Sequence, residues 1–180
     1  ARDIQHMQKA LHQMNVQLTQ VLTDITGVTG LAIIRAIVAG ERDPVQLARF
    51  REPQCASSTE DIAQALTGHY QPEHVFALKQ ALALYDAYTE QVRECDAAIE
   101  QRFQAIKPVG TDALPPLNRG NIHRTHNKNA PAYDARGLLY QLTGVDLVAI
   151  PGLNANTVQT ILSEIGLAPS NFRQNSRSGC

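Results

Sequence analysis

Tryptophan is absent, and Tyr and Phe together contribute only nine of the 180 residues. The 43% apolar share is still enough for a core. No run of about eighteen apolar residues occurs, so nothing is predicted to span a membrane. There is no basic start followed by an apolar core, so no signal peptide is visible. The three cysteines, Cys55, Cys95 and Cys180, are odd in number and lack CxxC spacing. That excludes a disulfide framework and a zinc-knuckle pattern, and it fits a reducing cytoplasm. No Gly-rich phosphate loop and no GxSxG occur, and nothing resembles a complete active site.

What is present favours helix. Ala, Leu, Gln and Glu dominate, and Pro and Gly gather in a few places, so an all-α protein of one domain, or one domain plus part of another, is expected. The net charge of −1 hides a division. Residues 1–100 hold eight Lys/Arg against thirteen Asp/Glu, whereas residues 101–180 hold eight against four. A polyanion would meet the basic back half.

Ile4, Met7, Leu11, Met14, Leu18, Val21 and Ile25 alternate spacings of three and four, which predicts three heptads of one coiled-coil seam, broken at Gly27 and Gly30. "LAIIRAIVAG" reads as a short buried helix closed by Gly40. Asp43-Pro44 supplies an N-cap and a helix-starting proline, and Ser58 with Asp61 resembles a capping box for a helix stopping at Gly68. A long helix follows from near Pro72 to Ile106, with Leu78, Tyr85, Val92, Ile99 and Ile106 seven apart. Its companion row, Val75, Leu82, Thr89, Asp96 and Phe103, falters at Thr89 and Asp96. Such a stripe needs a partner, either the first helix or a second copy of the chain.

Residues 108–133 are rich in Pro, Gly and Asn, which predicts a flexible linker. Its charges are mostly basic, Arg119, Arg124 and Lys128, with His123 and His126 between them. The two His have no neighbouring Cys or carboxylate, so no metal site is expected. Asp134 can cap "ARGLLYQLTG", which ends at Gly144. Then comes "IPGLNANTVQTILSEIG", residues 150–166: a Pro-Gly corner running into an amphipathic helix over Asn156–Ile165, stopped by Gly166.

Helix, tight Pro-Gly turn, helix is the pattern of a helix-hairpin-helix. The second helix starts with unpaired N–H groups and the positive end of its dipole, and a slim tip lets backbone approach a phosphate without reading bases. The candidate contacts are Gly152, Asn154, Ala155, Asn156 and Thr157 at the corner, joined by Arg119, Arg124, Lys128 and Arg136. Asn154 stands where such hairpins usually carry a second glycine, and tolerates left-handed backbone. The same residues also fit an ordinary αα-corner that packs and binds nothing, and the basic segment also fits a plain solvated loop.

"RDIQHMQKALHQMNVQL", "DITGVTGLAIIRAIVAGERDP", "ARGLLYQLTGVDLVAIPGL" and "TVQTILSEIG" together resemble the middle of an insertion-sequence 110 family (116/110/902) transposase, over residues 1 to about 167. The resemblance implies a three-part enzyme. A resolvase-like domain carries metal-binding acids, a coiled coil dimerises it, and a C-terminal transposase domain brings a catalytic serine, with a structured guide RNA directing DNA recombination. It places the acids upstream of Ala1 and the serine downstream of Gly166. No catalytic residue and no metal or cofactor site is therefore assigned here, although the full-length family enzyme implies a divalent metal. Ser163 does not match the serine's place.

The expected organisation is a coiled-coil helical domain over 1–107, a basic linker over 108–133, the start of the transposase domain over 134–167, and an aberrant tail over 168–180. The chain opens without Met inside a helical pattern, which reads as a truncated copy. One codon choice for "SNFRQNSRSGC", read two bases later, yields QFPTEQQEWL, close to the family's own continuation, so a frameshift is expected in the gene. The implied role is dimerisation and non-specific DNA or RNA contact during transposition, in the cytoplasm and away from membranes. Two other classes stay open. A structural coiled-coil adaptor would have no nucleic-acid role. A base-excision glycosylase would need an acid, often with a Lys, after the hairpin, and none follows Gly166.

Overall fold

A computed structural model describes residues 2–109, 113–114 and 130–166. The fold is all-α, and no strand occurs among the described residues. The helices are α1 (Arg2–Gln13), α2 (Leu18–Val21), α3 (Val28–Ala39), α4 (Pro44–Ala48), α5 (Thr59–Ala65), α6 (Pro72–Gln104), α7 (Ala135–Thr143) and α8 (Ala155–Ile165), with a 3-10 turn over Leu147–Ala149. None of these is long and apolar enough to cross a membrane. Contacts divide the chain into two units, Ala1–Glu90 and Gln91–Cys180, and the division falls inside α6.

The first unit corrects the expected N-terminal rod. Ile4 to Ile25 do not lie along one helix, because α1 stops at Gln13 and Asn15 adopts a left-handed φ of 55°. Asn15 N–H donates to the His12 carbonyl and Val16 N–H to the Leu11 carbonyl, both at 2.9 Å. That is a Schellman stop with Asn in the left-handed position and Val16 closing over Leu11. The stop is then clamped by the end of α5 and the turn after it: Gln17 N–H donates to the Ala65 carbonyl, and His69 N–H to the Met14 carbonyl, each at 2.7 Å. The heptad residues are apolar because they face a globular core, and Met7, Leu11, Met14, Leu18 and Ile25 are all buried in it.

Other boundaries follow local chemistry. Asp43 accepts from Val45 N–H at 2.9 Å to start α4, and Ser58 and Asp61 form the reciprocal box that starts α5. Gly40, at φ 111°, closes α3 with its N–H on Ile37 and Glu41 N–H on Ala36. Helix α5 itself ends at Ala65 rather than Gly68. Gly68 serves the fold differently: a Cβ there would lie 2.4 Å from the Met14 carbonyl oxygen. Helix α3 is apolar nearly all round, as a central helix must be, and Ile33, Ile34 and Ile37 are fully buried.

Arg42 lies 5.0 Å over the Tyr70 ring and donates to the Ile37 and Glu41 carbonyls at the end of α3. The Tyr70 hydroxyl donates to the Leu66 carbonyl at 2.7 Å. Burial raises the Tyr70 pKa above its ordinary value of 10.0, and Arg42 opposes the rise. A raised phenol pKa means that the folded chain keeps a proton the unfolded chain loses. This contribution is therefore complete below pH 10 and lost as pH rises through the folded-state value. Urea midpoints measured from pH 8 to 11 are expected to fall above pH 10, and Tyr70→Phe to flatten that part of the decline. An unchanged decline in the variant would remove Tyr70 as its source.

Helix α6 serves both units with different turns. Leu78, Ala81 and Leu82 enter the first core together with Met7, Ala10 and Leu11 of α1. Phe103 packs on the core of the second unit. Between them, Asp86 to Cys95 are all exposed, with Tyr88 at 56% and Val92 at 61%.

Candidate nucleic-acid interface

The second unit is built around α7 and α8. Asp134 caps α7 by accepting from Gly137 N–H at 3.0 Å, and a Cβ on Gly137 would strike that carboxylate at 2.2 Å. Gly144, at φ 70°, ends the helix. Leu139, Val158 and Leu162 are buried together, with Leu147, Val148, Leu153 and Ala155 packed against them. The Phe103 and Tyr133 rings meet edge to face at 6.5 Å, and Tyr133 donates to Gln159 Oε1 at 2.9 Å. Burial raises the Tyr133 pKa, and nearby Asp96 and Glu100 add to the rise. Asp96, the polar break in the long helix's second stripe, accepts from Ala132 N–H at 3.0 Å and so ties down the approach to α7.

The corner forms as the Pro-Gly pair dictates. Leu153 N–H donates to the Ile150 carbonyl at 3.1 Å, with Pro151 and Gly152 between them and Gly152 at φ 88°. Proline second and a left-handed glycine third is the type II turn. Pro151, Gly152 and Asn154 are exposed, Ile150 is 47% exposed, and a Cβ on Gly152 would meet nothing within 4 Å. The tip is therefore open to a ligand, and its glycine is required by backbone angle rather than by crowding.

Asn154 departs from the expected glycine-like position. Its φ of −108° is extended, and its side chain caps α8 by accepting from Thr157 N–H at 2.9 Å and from the Thr157 hydroxyl at 3.1 Å. The helix accordingly begins at Ala155, one residue before the expected Asn156. The cap thus engages the Thr157 amide of the first turn of α8. Ala155 and Asn156 are half-buried at the start of α8, and Asn156 also lines a polar cleft of about 280 Å³ with Asp96, Gln159 and Thr160.

Arg136 forms a two-pronged ion pair with Asp146, using Nη2 and Nε, and both side chains are largely buried. It thereby links the first turn of α7 to the 3-10 turn. Nothing in the spacing of the two residues marked Asp146 as its partner. Arg119, Arg124, Lys128, His123 and His126 lie outside the described residues. Ser163, exposed on α8, donates to the Thr160 carbonyl at 2.7 Å.

Of the nine candidate contacts, the fold brings Gly152, Asn154, Ala155, Asn156 and Thr157 into one short path from turn to helix. Arg136 joins the same unit with its charge turned to Asp146. Among the described residues, no group of three or more His, Cys, Asp or Glu gathers in metal-holding geometry. Comparison with known proteins gave no matching family model, no matching curated protein and no matching solved structure.

Proposed function

We propose that this chain is a helical piece of an insertion-sequence DNA transposase or recombinase. In this reading it pairs with a second copy through α6 and holds DNA or a structured RNA weakly at the Ile150–Asn154 corner, in the cytoplasm. The observation that carries the nucleic-acid part is the corner: an exposed type II turn with glycine at its tip, feeding directly into the start of α8. The first-turn amides and the helix dipole there favour a phosphate and are indifferent to base sequence. Arg119, Arg124 and Lys128 add charge from the linker. No residue is given a catalytic role, and the chain alone neither cuts nor joins DNA.

Fluorescence anisotropy with a labelled DNA duplex and a labelled RNA hairpin tests this. Binding is expected to be weak and to fall steeply between about 50 and 200 mM salt. Gly152→Val forces a β-branched residue into left-handed backbone and puts bulk at the tip, so it is expected to weaken binding about three- to ten-fold. Circular dichroism checks that helix content is kept. Exchanging Arg119, Arg124 and Lys128 for Gln is expected to flatten the salt dependence. Absence of salt-sensitive binding to either probe would remove the nucleic-acid role.

A second reading, a structural helical adaptor, is favoured by two details. The Asn154 cap engages one N-terminal amide of α8, and the Arg136 charge is already neutralised by Asp146. It predicts no binding at either salt concentration.

A further inference from the structure

The polar cleft of about 280 Å³ beside α8 has no part in the corner's own geometry. Asn156 lines it from the first turn of α8, Gln159 and Thr160 follow one turn on, and Asp96 and Pro131 face them, all within the second unit. The fold has already oriented two of these side chains, both half-buried. Tyr133 donates to Gln159 Oε1 at 2.9 Å, which commits the oxygen and leaves the two N–H groups of Nε2 for another acceptor. Ala132 N–H donates to Asp96 Oδ2 at 3.0 Å, which leaves Oδ1 as an acceptor. Neither Gln159 Nε2 nor Asp96 Oδ1 has a partner among the described residues. The Thr160 hydroxyl donates to the Asn156 carbonyl at 3.0 Å and so offers the cleft only lone pairs. A fixed carboxylate acceptor and a fixed amide donor therefore line one small cleft.

We propose that this cleft receives one unpaired nucleobase of the strand whose phosphate meets the start of α8. This rests on the reading that the corner holds nucleic acid, and it names the form held: an unpaired strand rather than a duplex. Every nucleobase carries an N–H next to an acceptor on its Watson–Crick edge, so Asp96 accepts from and Gln159 donates to the same base. In a duplex that edge is consumed by pairing. The cleft accordingly requires a base without requiring a particular one, in keeping with a phosphate contact that ignores sequence. Charge sorts the two halves of the nucleotide. The Asp96 carboxylate repels a phosphate, whereas the first-turn amides and dipole of α8 attract one. Asn156 stands in that first turn and also lines the cleft, so the two subsites adjoin.

The test is fluorescence anisotropy of the full chain with three labelled DNA probes of equal length: a mixed-sequence single strand, the same strand made abasic, and its duplex. The abasic strand keeps the phosphates and loses only the bases, so comparing the two single strands cancels the electrostatic part. The base-bearing strand is expected to bind at least about three-fold tighter than the abasic one. Asp96→Asn turns the cleft's acceptor into a donor, and Gln159→Glu turns its donor into an acceptor. Each keeps an oxygen for Ala132 N–H or the Tyr133 hydroxyl, and each is expected to bring that ratio to about one. Asp96→Asn should do so without weakening the abasic strand or the duplex, whereas damage to the fold would weaken all three probes together. Circular dichroism checks helix content. Equal binding of the two single strands, with salt dependence intact, overturns the base cleft and leaves the phosphate contact standing. A ratio that survives both substitutions also overturns it, because the base is then held elsewhere. Absence of salt-sensitive binding to every probe overturns the proposed function as well.

Discussion

Gly30→Ala is expected to lower the stability of the Ala1–Glu90 unit by about 3 kcal/mol or more. Helix propensity alone points the other way, since Ala inside a helix is favoured over Gly by about 1 kcal/mol. Crowding decides the sign. A Cβ at Gly30 would lie 2.2 Å from the Ile25 carbonyl oxygen, 2.6 Å from its carbonyl carbon and 2.7 Å from its Cα. All three are backbone atoms, so no flexible side-chain end can swing away, and Ile25 is itself anchored in the core at 2% exposure. Either α3 or the segment before it must move, and α3 carries the fully buried Ile33, Ile34 and Ile37. Gly40→Ala provides the contrast. Its Cβ would meet nothing within 4 Å, and only the left-handed φ of 111° opposes it, at about 1–2 kcal/mol. Urea denaturation of the two variants separates these causes. A Gly30→Ala protein as stable as the parent would mean that Ile25 does not approach α3 so closely.

Leu162→Ala is expected to melt the α7–α8 hairpin. Leu162 is 6% exposed and, among the described residues, shares its buried cluster with Leu139 and Val158, with Leu147, Val148 and Leu153 at its edge. Truncating a buried leucine costs about 2–5 kcal/mol, and a core this small supplies little more than that. The Arg136–Asp146 pair cannot replace it, because an ion pair of this kind holds a geometry that packing must already have formed. Hydrogen exchange is the measurement: amides of α7 and α8 should lose protection while those of α3 keep theirs. Nucleic-acid binding at the corner should vanish with them if the proposed function holds. Retained protection in α8 would show that the hairpin has support beyond this cluster.

These two variants also mark what was legible. The starts of α4, α5 and α7 were readable because Asp43, Ser58 with Asp61, and Asp134 each bond an amide two or three residues onward. The Pro151-Gly152 corner was readable for the same reason, since a type II turn closes over four residues. Gly30 and Gly68 were visible as glycines, but their reasons are carbonyls brought up by tertiary packing. The N-terminal stripe misled because a spacing of three and four marks any helical face that is buried, whether in a rod or a globule. Asn15 was the available signal, being a residue that tolerates the left-handed stop, but it stood among polar heptad positions where Asn is unremarkable. Asn154 shows the opposite case. Its type suits a cap as well as a left-handed turn, and the extended backbone before α8 selected the cap.

By itself the sequence determined that the chain is helical, where α4, α5, α6 and α7 begin, and that a proline-glycine corner precedes the last helix. Caps, turns and propensities act over three or four neighbouring residues, so their outcome needs no distant partner. Only the tertiary structure decided that the first stripe bends at Asn15 into a globular core, that Arg136 faces Asp146, and that Asp86 to Cys95 of α6 are exposed. Each of these depends on which apolar faces meet first, and on the hydrogen bonds formed once they have met. That choice belongs to the whole packed chain, because burial favours whichever arrangement covers the most apolar surface and leaves the fewest polar groups unpaired.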